Sequence, residues 1–296
     1  MHWFLLPLVV GSGVYCILVA IAARRYLSVN PPQLHSEIPL SVLKPLAGLD
    51  HGLESNLRTI FEQQYRDFEL LFAVRHDTDA AVPVVRRLQA EYPNIPSRLI
   101  LTGEPPYPNA KIWALECMTA EARHDVLVMS DSDIRVTPDF LRITAAEFSD
   151  PKLGVGTCPY RAVPGRSLAS ALEAIGMNTE FLSGVLVARI VEGMKFALGP
   201  TLTARRQTLT DIGGWRYLSE FLAEDFVMGH DAAEKGWTVI LSSAVVEHHI
   251  GSQTWRANAT HRLRWFRSTR RSRPAGYTGQ LFTNPLPLVL LLWMLK

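Results

Sequence analysis

Short apolar segments alternate along the middle of the chain with longer segments in which apolar residues recur every three or four positions. The short apolar runs lie at residues 40–46, 68–74, 99–102, 126–130 and 155–158. The helical pattern lies between them, at residues 53–65, 82–92, 112–122 and 140–148. Such alternation is typical of an α/β fold in which helices cover both faces of a mostly parallel sheet, with ligands at the carboxyl ends of the strands. We therefore predict a Rossmann-like α/β domain over residues 40–250.

The N-terminal segment has a different pattern. Residues 3–23 carry no charged side chain, and Arg24 and Arg25 follow directly. About 20 apolar residues are enough to cross the hydrocarbon core of a bilayer. A secretory signal peptide carries its basic residues before the apolar stretch, so the order here favours a retained transmembrane helix at 1–26, followed by a linker at 27–39. The two arginines predict that the following domain lies on the cytoplasmic face of the inner or cell membrane.

The C-terminal region is basic and then apolar. Residues 251–280 contain arginine but no lysine, and Trp255, Leu263, Trp265 and Phe266 alternate with the arginines. This pattern predicts an amphipathic helix at the membrane interface, and guanidinium groups also suit bidentate contact with a diphosphate. Residues 281–296 are predicted to begin a C-terminal membrane segment.

Composition narrows the possible classes of function. The chain has 296 residues, 48% of them apolar, with 30 basic and 28 acidic side chains. This balance lacks the charge excess of a nucleic-acid binder, and the apolar residues within 251–280 favour lipid as the partner of that region. Cys16, Cys117 and Cys158 have neither disulfide nor metal-site spacing, which fits a reducing compartment.

Two aspartates one residue apart follow the apolar run 126–130. Asp131 and Asp133 would stand at the carboxyl end of a buried strand. Carboxylate oxygens are preferred ligands of Mg²⁺ and Mn²⁺, which take further ligands from water and phosphate oxygens. The pair predicts a divalent metal site for a nucleotide-sugar diphosphate. The competing interpretation is a solvated turn.

Other polar groups stand where a nucleotide-sugar site would need them. Asp77 and Asp79 follow the run 68–74 and are candidates for contacts with the base or ribose, or for helix capping. Asn109 and Lys111 open a helical segment and are candidates for phosphate or sugar contacts, with solvation of Lys111 as the alternative.

Glu224 and Asp225 precede a helical segment that runs to about residue 237. Inverting sugar transfer needs a carboxylate that takes the proton of the attacking hydroxyl. Asp225 is our candidate for this general base, with Glu224 second. A carboxylate pair here would also stabilise a helix N-terminus, which is the alternative.

Taken together, the motifs resemble the ceramide glucosyltransferase family, whose bacterial relatives include the hopanoid-biosynthesis-associated glycosyltransferases. They run in order from about residue 40 to about residue 275: Leu43-Lys44-Pro45-Leu46-Ala47-Gly48-Leu49-Asp50, His76-Asp77-Thr78-Asp79, Asn109-Ala110-Lys111-Ile112, Asp131-Ser132-Asp133-Ile134-Arg135-Val136, Ala223-Glu224-Asp225 and Arg264-Trp265. The resemblance implies a membrane-bound GT-A fold. It also implies inverting transfer of a sugar, glucose or N-acetylglucosamine, from a UDP-sugar donor to a hydroxyl of a ceramide-like or hopanoid membrane lipid.

The resemblance also implies residue roles. Asp79, with Asp77 beside it, matches the family's first aspartate, Asp131 the second and Asp225, the base, the third. The last motif of the family consists of Gln or Arg, two further residues and Arg-Trp. In this chain His261 occupies its first position, where the resemblance implies a contact with the diphosphate or the acceptor. Asp133 supplies a second metal ligand where animal members can carry glycine. The implied donor-binding residues are Lys44, Asp77, Asp79, Asn109, Lys111, Asp131, Arg264 and Trp265.

Three other functions share parts of this pattern. A processive polysaccharide synthase has this fold and a Gln-x-x-Arg-Trp motif, but it needs a channel of several helices, and the sequence indicates one complete span. A transferase with a polyprenyl-phosphate acceptor is the second alternative, and a non-catalytic membrane scaffold is the third. Retention of the four aspartates disfavours the scaffold. The apolar segment 168–196 is predicted to contact the acceptor, with ordinary core as its alternative.

Overall fold

The computed structural model of the protein describes residues 5–34, 36–280, 283 and 285–294. Its strands are, in chain order, β1 (Leu40–Pro45), β2 (Phe68–Val74), β3 (Ser97–Leu101), β4 (Val126–Ser130), β5 (Ile134–Arg135), β6 (Leu153–Thr157), β7 (Tyr160–Pro164), β8 (Thr201–Arg205), β9 (Thr238–Leu241) and β10 (Val246–Ile250). One sheet has the order β3-β2-β1-β4-β8-β6-β9, and a small second sheet has the order β5-β10-β7.

Helices surround the large sheet and continue beyond it at both ends of the chain. They are α1 (Leu5–Leu27), α2 (Leu53–Phe61), α3 (Val82–Glu91), α4 (Ala110–Glu121), α5 (Phe140–Glu147), α6 (Leu168–Gly176), α7 (Leu182–Val191), α8 (Arg206–Asp211), α9 (Gly214–Leu218), α10 (Glu224–Glu234), α11 (Trp255–Ser272), α12 (Pro274–Gly279) and α13 (Pro285–Met294). A π-helical segment, Met177–Phe181, joins α6 to α7.

The large sheet is mostly parallel, as the strand-helix alternation predicts. β1 pairs in parallel with β2 and β4, β2 with β3, and β6 with β9. β8 is the exception, because it runs antiparallel to both of its neighbours, β4 and β6. The apolar pattern does not predict β8, since this strand carries two threonines and an arginine among its five residues.

Alternate residues of the central strands face two separate cores. In β2, Leu70 and Phe72 pack in one core with α2 and α3, whereas Leu71 and Ala73 pack in the other with α4. Successive side chains on a strand point to opposite faces, so a strand that is apolar throughout needs cover on both sides. Because β1 pairs in parallel with β2 and β4, the carboxyl ends of these three strands lie at one edge of the sheet, and Asp131 of the cleft follows the end of β4.

Within the described residues, two helical segments are long and apolar enough to cross a membrane, judged by length and composition: Leu5–Leu27 and Leu168–Val191. The first is α1, which packs against α7 and α13 and leaves Val10, Val14 and Ile17 exposed. Residues 1–4 of the predicted anchor lie outside the described part. The second consists of α6, the π-helical segment and α7. The sequence alone does not suggest it as a span, because two glutamates interrupt its apolar run.

The basic region contains two helices where the sequence predicts one over 251–280. α11 begins after Thr254, whose Oγ1 accepts a hydrogen bond from the backbone N–H of Ala257 at 3.2 Å. It ends at Ser272, and Pro274 then opens α12, a position where its missing N–H costs nothing. α13 occupies part of the predicted 281–296 segment, of which residues 281, 282, 284, 295 and 296 lie outside the described residues.

Candidate active site

Lys44 is the next-to-last residue of β1 and fixes the neighbouring end of β4. Its side chain is 1% exposed, and its Nζ donates to the Oγ of Ser130 at 3.0 Å and to the backbone oxygen of Asp131 at 2.7 Å. Burial lowers the pKa of this ammonium to about 8, although the carboxylates of Asp131 and Asp133 oppose that shift. Lys44 therefore lies beneath the open edge of the sheet and positions the backbone that carries Asp131.

Asp131 follows β4 and faces the N-terminus of α4. Its Oδ1 lies 2.6 Å from the Nζ of Lys111, and its backbone N–H donates to the oxygen of Pro200 at 2.9 Å. Burial disfavours the charged form of Lys111, but Asp131, Glu224 and other nearby carboxylates outweigh it and raise the pKa of the ammonium. Lys111 is therefore a charged ammonium held among acids, and Asp131 is its direct partner.

Asn109 caps the helix that carries this lysine. Its Oδ1 accepts a hydrogen bond from the backbone N–H of Ile112 at 3.2 Å. The cap satisfies one of the free N–H groups at the start of α4 and thereby fixes the position of Lys111.

Asp133 is paired with a histidine from a distant strand. Its Oδ2 lies 2.9 Å from the Nε2 of His248 on β10. Burial raises the pKa of the Asp133 carboxyl, but the hydrogen bond and charge of His248 and the charge of Lys44 outweigh it, so the pKa is lowered. Asp133 Oδ1 and His248 Nδ1 are both buried without a hydrogen-bond partner among the described residues.

The donor atoms fit a divalent cation whose coordination the substrate would complete. The contact between His248 Nε2 and Asp133 Oδ2 would orient that carboxylate, as partners of metal-binding carboxylates commonly do. Carboxylate oxygen suits Mg²⁺ and Mn²⁺, and the unpartnered Asp133 Oδ1 has unused acceptor capacity. In the described part of the chain no group of three or more His, Cys, Asp or Glu side chains forms a ready-made metal site. Diphosphate oxygens and water would therefore have to supply the other ligands.

Glu224 and Asp225 are the first two residues of α10, and both line the same cleft as Lys111. Burial raises the pKa of both carboxyls, and in Asp225 this effect exceeds the opposing backbone hydrogen bond from Phe226 and the charge of Lys111. A carboxylate with a raised pKa is a stronger proton acceptor. Gly199 lies close to the Asp225 carboxylate. A Cβ added at Gly199 would be only 2.9 Å from Asp225 Oδ2.

The Arg-Trp motif lies on α11 along the same cleft. Arg264 is exposed, while the half-buried ring of Trp265 packs 5.8 Å from Phe181 and 4.8 Å from His261, measured between centroids. The Nδ1 of His261 lies 2.7 Å from Oε1 of Glu173, a residue that is 2% exposed. Asn258 donates to the other oxygen of Glu173 at 2.7 Å. Glu173 on α6 thus contacts α11 through Asn258 and through His261, the histidine at the first position of the closing motif.

One cleft of about 1860 Å³ brings most of the predicted residues together. Those that line it are Asn109, Lys111, Asp131, Asp133, Glu224, Asp225, His261, Arg264 and Trp265. Lys44, Asp77 and Asp79 are not among the described residues that line it. Asp77 is exposed. The carboxylate of Asp79 accepts from the backbone N–H groups of Gly48, at 3.0 and 3.1 Å, and Ala81, at 2.8 Å, so it shapes the loop after β1.

The sequence patterns do not predict a role in the cleft for His248, Glu173 or Tyr160, all of which line it. Tyr160, on β7, stacks on Phe181 at 5.2 Å and meets His248 edge-on at 5.5 Å. Burial raises its pKa, and the negative charges of Asp225, Asp133 and Asp131 raise it further. Of these three residues, only Glu173 could have been noticed in the sequence, because it is an acid inside an apolar stretch.

Curated relatives and solved structures match the chain. Ceramide glucosyltransferase 1 of Caenorhabditis elegans is 31% identical over 206 residues, which cover 69% of this chain and 44% of that protein. Ceramide glucosyltransferase 3 of the same organism is 26% identical over 236 residues, covering 78% and 51%. The chain therefore spans about half the length of the curated relatives it matches.

The solved structures show the fold. The mannosyltransferase PcManGT from Pyrobaculum calidifontis, in complex with GDP-Man and Mn²⁺, is 18% identical with a TM-score of 0.67, covering 98% of this chain and 85% of that one. TarS of S. aureus, in complex with UDP-GlcNAc, is 15% identical with a TM-score of 0.50, covering 74% and 61%. The predicted GT-A fold is confirmed. The family model for glycosyl transferase family 21 matches residues 4–296, and the chain belongs to this family.

Proposed function

We propose that the protein transfers a sugar from a UDP-sugar to a hydroxyl of a membrane lipid, with inversion at the anomeric carbon. One observation carries the proposal: the Asp131–Asp133 pair and the half-buried Asp225 carboxylate line the same cleft as Lys111 and Arg264. A metal-binding pair, a general base and cations for a leaving diphosphate are the parts that this reaction needs.

Each residue has a separate task in the proposed mechanism. The Asp225 carboxylate takes the proton of the acceptor hydroxyl while that oxygen attacks the anomeric carbon from the face opposite the diphosphate. The bond from the anomeric carbon to the diphosphate oxygen breaks, and UDP leaves with the bonding electrons. Lys111 and Arg264 donate hydrogen bonds to the diphosphate as its charge grows. Glu224, which is also half-buried and has a raised pKa, is the second candidate for the base.

A divalent cation belongs to this proposal. Asp131 and Asp133 would hold Mg²⁺ or Mn²⁺ with His248 beside them, and the ion would neutralise part of the diphosphate charge. Two of the matching structures carry Mn²⁺ with a nucleotide or nucleotide sugar, namely PcManGT and GalNAc-T7. The curated relatives are named ceramide glucosyltransferases, which supports glucose as the sugar and a ceramide-like lipid as the acceptor; N-acetylglucosamine and a hopanoid lipid are the alternatives that we propose to test beside them.

The membrane would hold the acceptor near the cleft. We propose that α1 anchors the chain in the inner or cell membrane and that Arg24 and Arg25 keep the catalytic domain on the cytoplasmic side. The arginines of α11 then face anionic headgroups, with the exposed Leu263 and Phe266 towards the acyl region.

A donor and acceptor panel tests the proposed function. Membranes that contain the full chain are incubated with labelled UDP-glucose, UDP-galactose and UDP-N-acetylglucosamine, and lipids are extracted and separated. We expect label in one lipid product, and none with an Asp131→Asn, Asp225→Asn double variant. Label that stays entirely as UDP-sugar, or enters a long polysaccharide, contradicts lipid glycosylation.

A further inference from the structure

The cleft continues from the carboxylates towards the apolar helices. At that end its lining residues include Tyr15 of α1, Glu180 of the π-helical segment, and Gly184 and Val187 of α7. This end therefore lies between the two helical segments that are apolar enough to cross a membrane. A lipid acceptor would approach the reacting groups from here.

Two polar groups interrupt this apolar end. Glu180 is exposed, and its carboxylate makes neither a hydrogen bond nor an ion pair with any residue that the structure describes. The hydroxyl of Tyr15 is buried and also lacks a partner among the described residues. A buried hydroxyl without a partner is costly, so a ligand that hydrogen-bonds to Tyr15 would stabilise this end of the cleft, and Glu180 presents a carboxylate acceptor there. Glu173, the other acid of this segment, already has two partners.

The backbone holds Glu180 in a fixed relation to the catalytic sheet. π-Helical turns within α-helices occur frequently at functional sites. The side-chain amide of Asn178 clamps this one to β7, because its Oδ1 accepts from the backbone N–H of Ala162 at 2.7 Å and its Nδ2 donates to the oxygen of the same residue at 2.9 Å. Glu180 is therefore placed by the fold and is not on a free loop.

A chain of contacts joins this segment to the metal-binding carboxylates. Phe181, the residue after Glu180, stacks on Tyr160 at 5.2 Å. Tyr160 meets His248 edge-on at 5.5 Å, and His248 holds Asp133 at 2.9 Å. A lipid head group that reaches the carboxylates along this wall would pass Glu180 on the way.

We propose that Glu180, with the Tyr15 hydroxyl beside it, is an acceptor head-group subsite for a lipid that carries a second hydrogen-bond donor near its reacting hydroxyl. A carboxylate accepts and cannot donate, so it selects an N–H or O–H on the ligand. The space next to Gly184, where the nearest atom to an added Cβ is Tyr15 Oη at 3.9 Å, leaves room for an acyl or alkyl chain. This inference rests on the proposed function and assigns its acceptor to a chemical class.

Matched acceptors and variants test the subsite in the full chain. One acceptor is an N-acyl amino diol with a free amide N–H and a second hydroxyl, and the others are its N-methyl, O-methyl analogue and a long-chain primary alcohol. We expect Glu180→Ala to raise the KM for the amino diol roughly 10- to 100-fold, the loss that removal of a hydrogen bond to a charged group produces. Its kinetics with the plain alcohol and its KM for UDP-sugar should not change. Tyr15→Phe should give a smaller rise in the same KM.

Control variants separate this role from a structural one. Glu234→Gln removes an exposed acid outside the cleft and should change neither acceptor. Gly184→Leu fills the space beside Tyr15 and should weaken every lipid acceptor while leaving the KM for UDP-sugar intact. If Glu180→Ala keeps the wild-type preference for the amino diol, the subsite does not exist. If the unsubstituted protein transfers sugar to none of the lipids, the proposed function fails and the subsite with it.

Discussion

Replacing Gly199 with alanine should displace the Asp225 carboxylate without disturbing the fold. The added Cβ would lie 2.9 Å from Asp225 Oδ2, whereas ordinary contacts begin at 3.4 Å, so the oxygen must move by about 0.5 Å. The tip of an aspartate can make this movement, and the backbone does not need to follow. Since misplacement of a catalytic group by about 1 Å can cost about 10²-fold in rate, half that displacement predicts roughly a tenfold fall in kcat, or about 1.4 kcal/mol.

The assay is single-turnover transfer of labelled sugar to lipid at saturating donor, together with a donor-binding titration and a thermal melt. The donor Kd and the Tm should stay near their wild-type values. Gly13→Ala, where an added Cβ meets nothing within 4 Å, is the matched control and should leave kcat unchanged. Unchanged kcat in Gly199→Ala, or a loss of donor affinity with kcat preserved, refutes the assignment of Asp225 as the base.

Three further predictions concern the metal, the proton and the membrane. Chelation should abolish transfer and Mg²⁺ or Mn²⁺ should restore it, while Asp131→Asn should inactivate the protein without unfolding it; full activity in excess chelator excludes a metal role. Because the pKa of Asp225 is raised, activity should climb with pH above the ordinary range of an aspartate. The folded state also binds this proton more tightly than the unfolded state, so ionisation costs stability as pH rises, and Asp225→Asn should raise the Tm at neutral pH; a lowered Tm there contradicts the burial argument. Protease added to sealed, right-side-out cells should leave the catalytic domain intact, and ready digestion would reverse the topology.

The sequence was most informative for functional residues that lie next to a strand or helix along the chain. Asp131 and Asp133 directly follow an apolar run, and parallel strands bring their carboxyl ends to one edge, so their position at the open edge was predictable. The same holds for Asp225 at the start of α10. Lys44 is different, because only the packing of β1 beside β4 shows that its ammonium lies beneath the cleft.

Residues that meet across long separations were beyond prediction. His248 pairs with Asp133 across 115 positions, and His261 with Glu173 across 88. A single sequence contains no record of such pairs, since alternation and spacing describe only neighbouring residues. The sequence also did not predict the segment 168–191 as a candidate membrane span, because two glutamates interrupt its apolar residues.

The most direct test of the central claim is the separation of turnover from donor binding in Asp225→Asn. Donor affinity is measured by titration with the UDP-sugar, and turnover by transfer of its labelled sugar to lipid, in full-length wild type and variant side by side. The account predicts a donor Kd within about twofold of wild type and a kcat lowered by roughly 10²- to 10⁴-fold, the range of general acid-base catalysis. Lost donor binding with wild-type kcat at saturation would contradict it and make Glu224 the better candidate for the base.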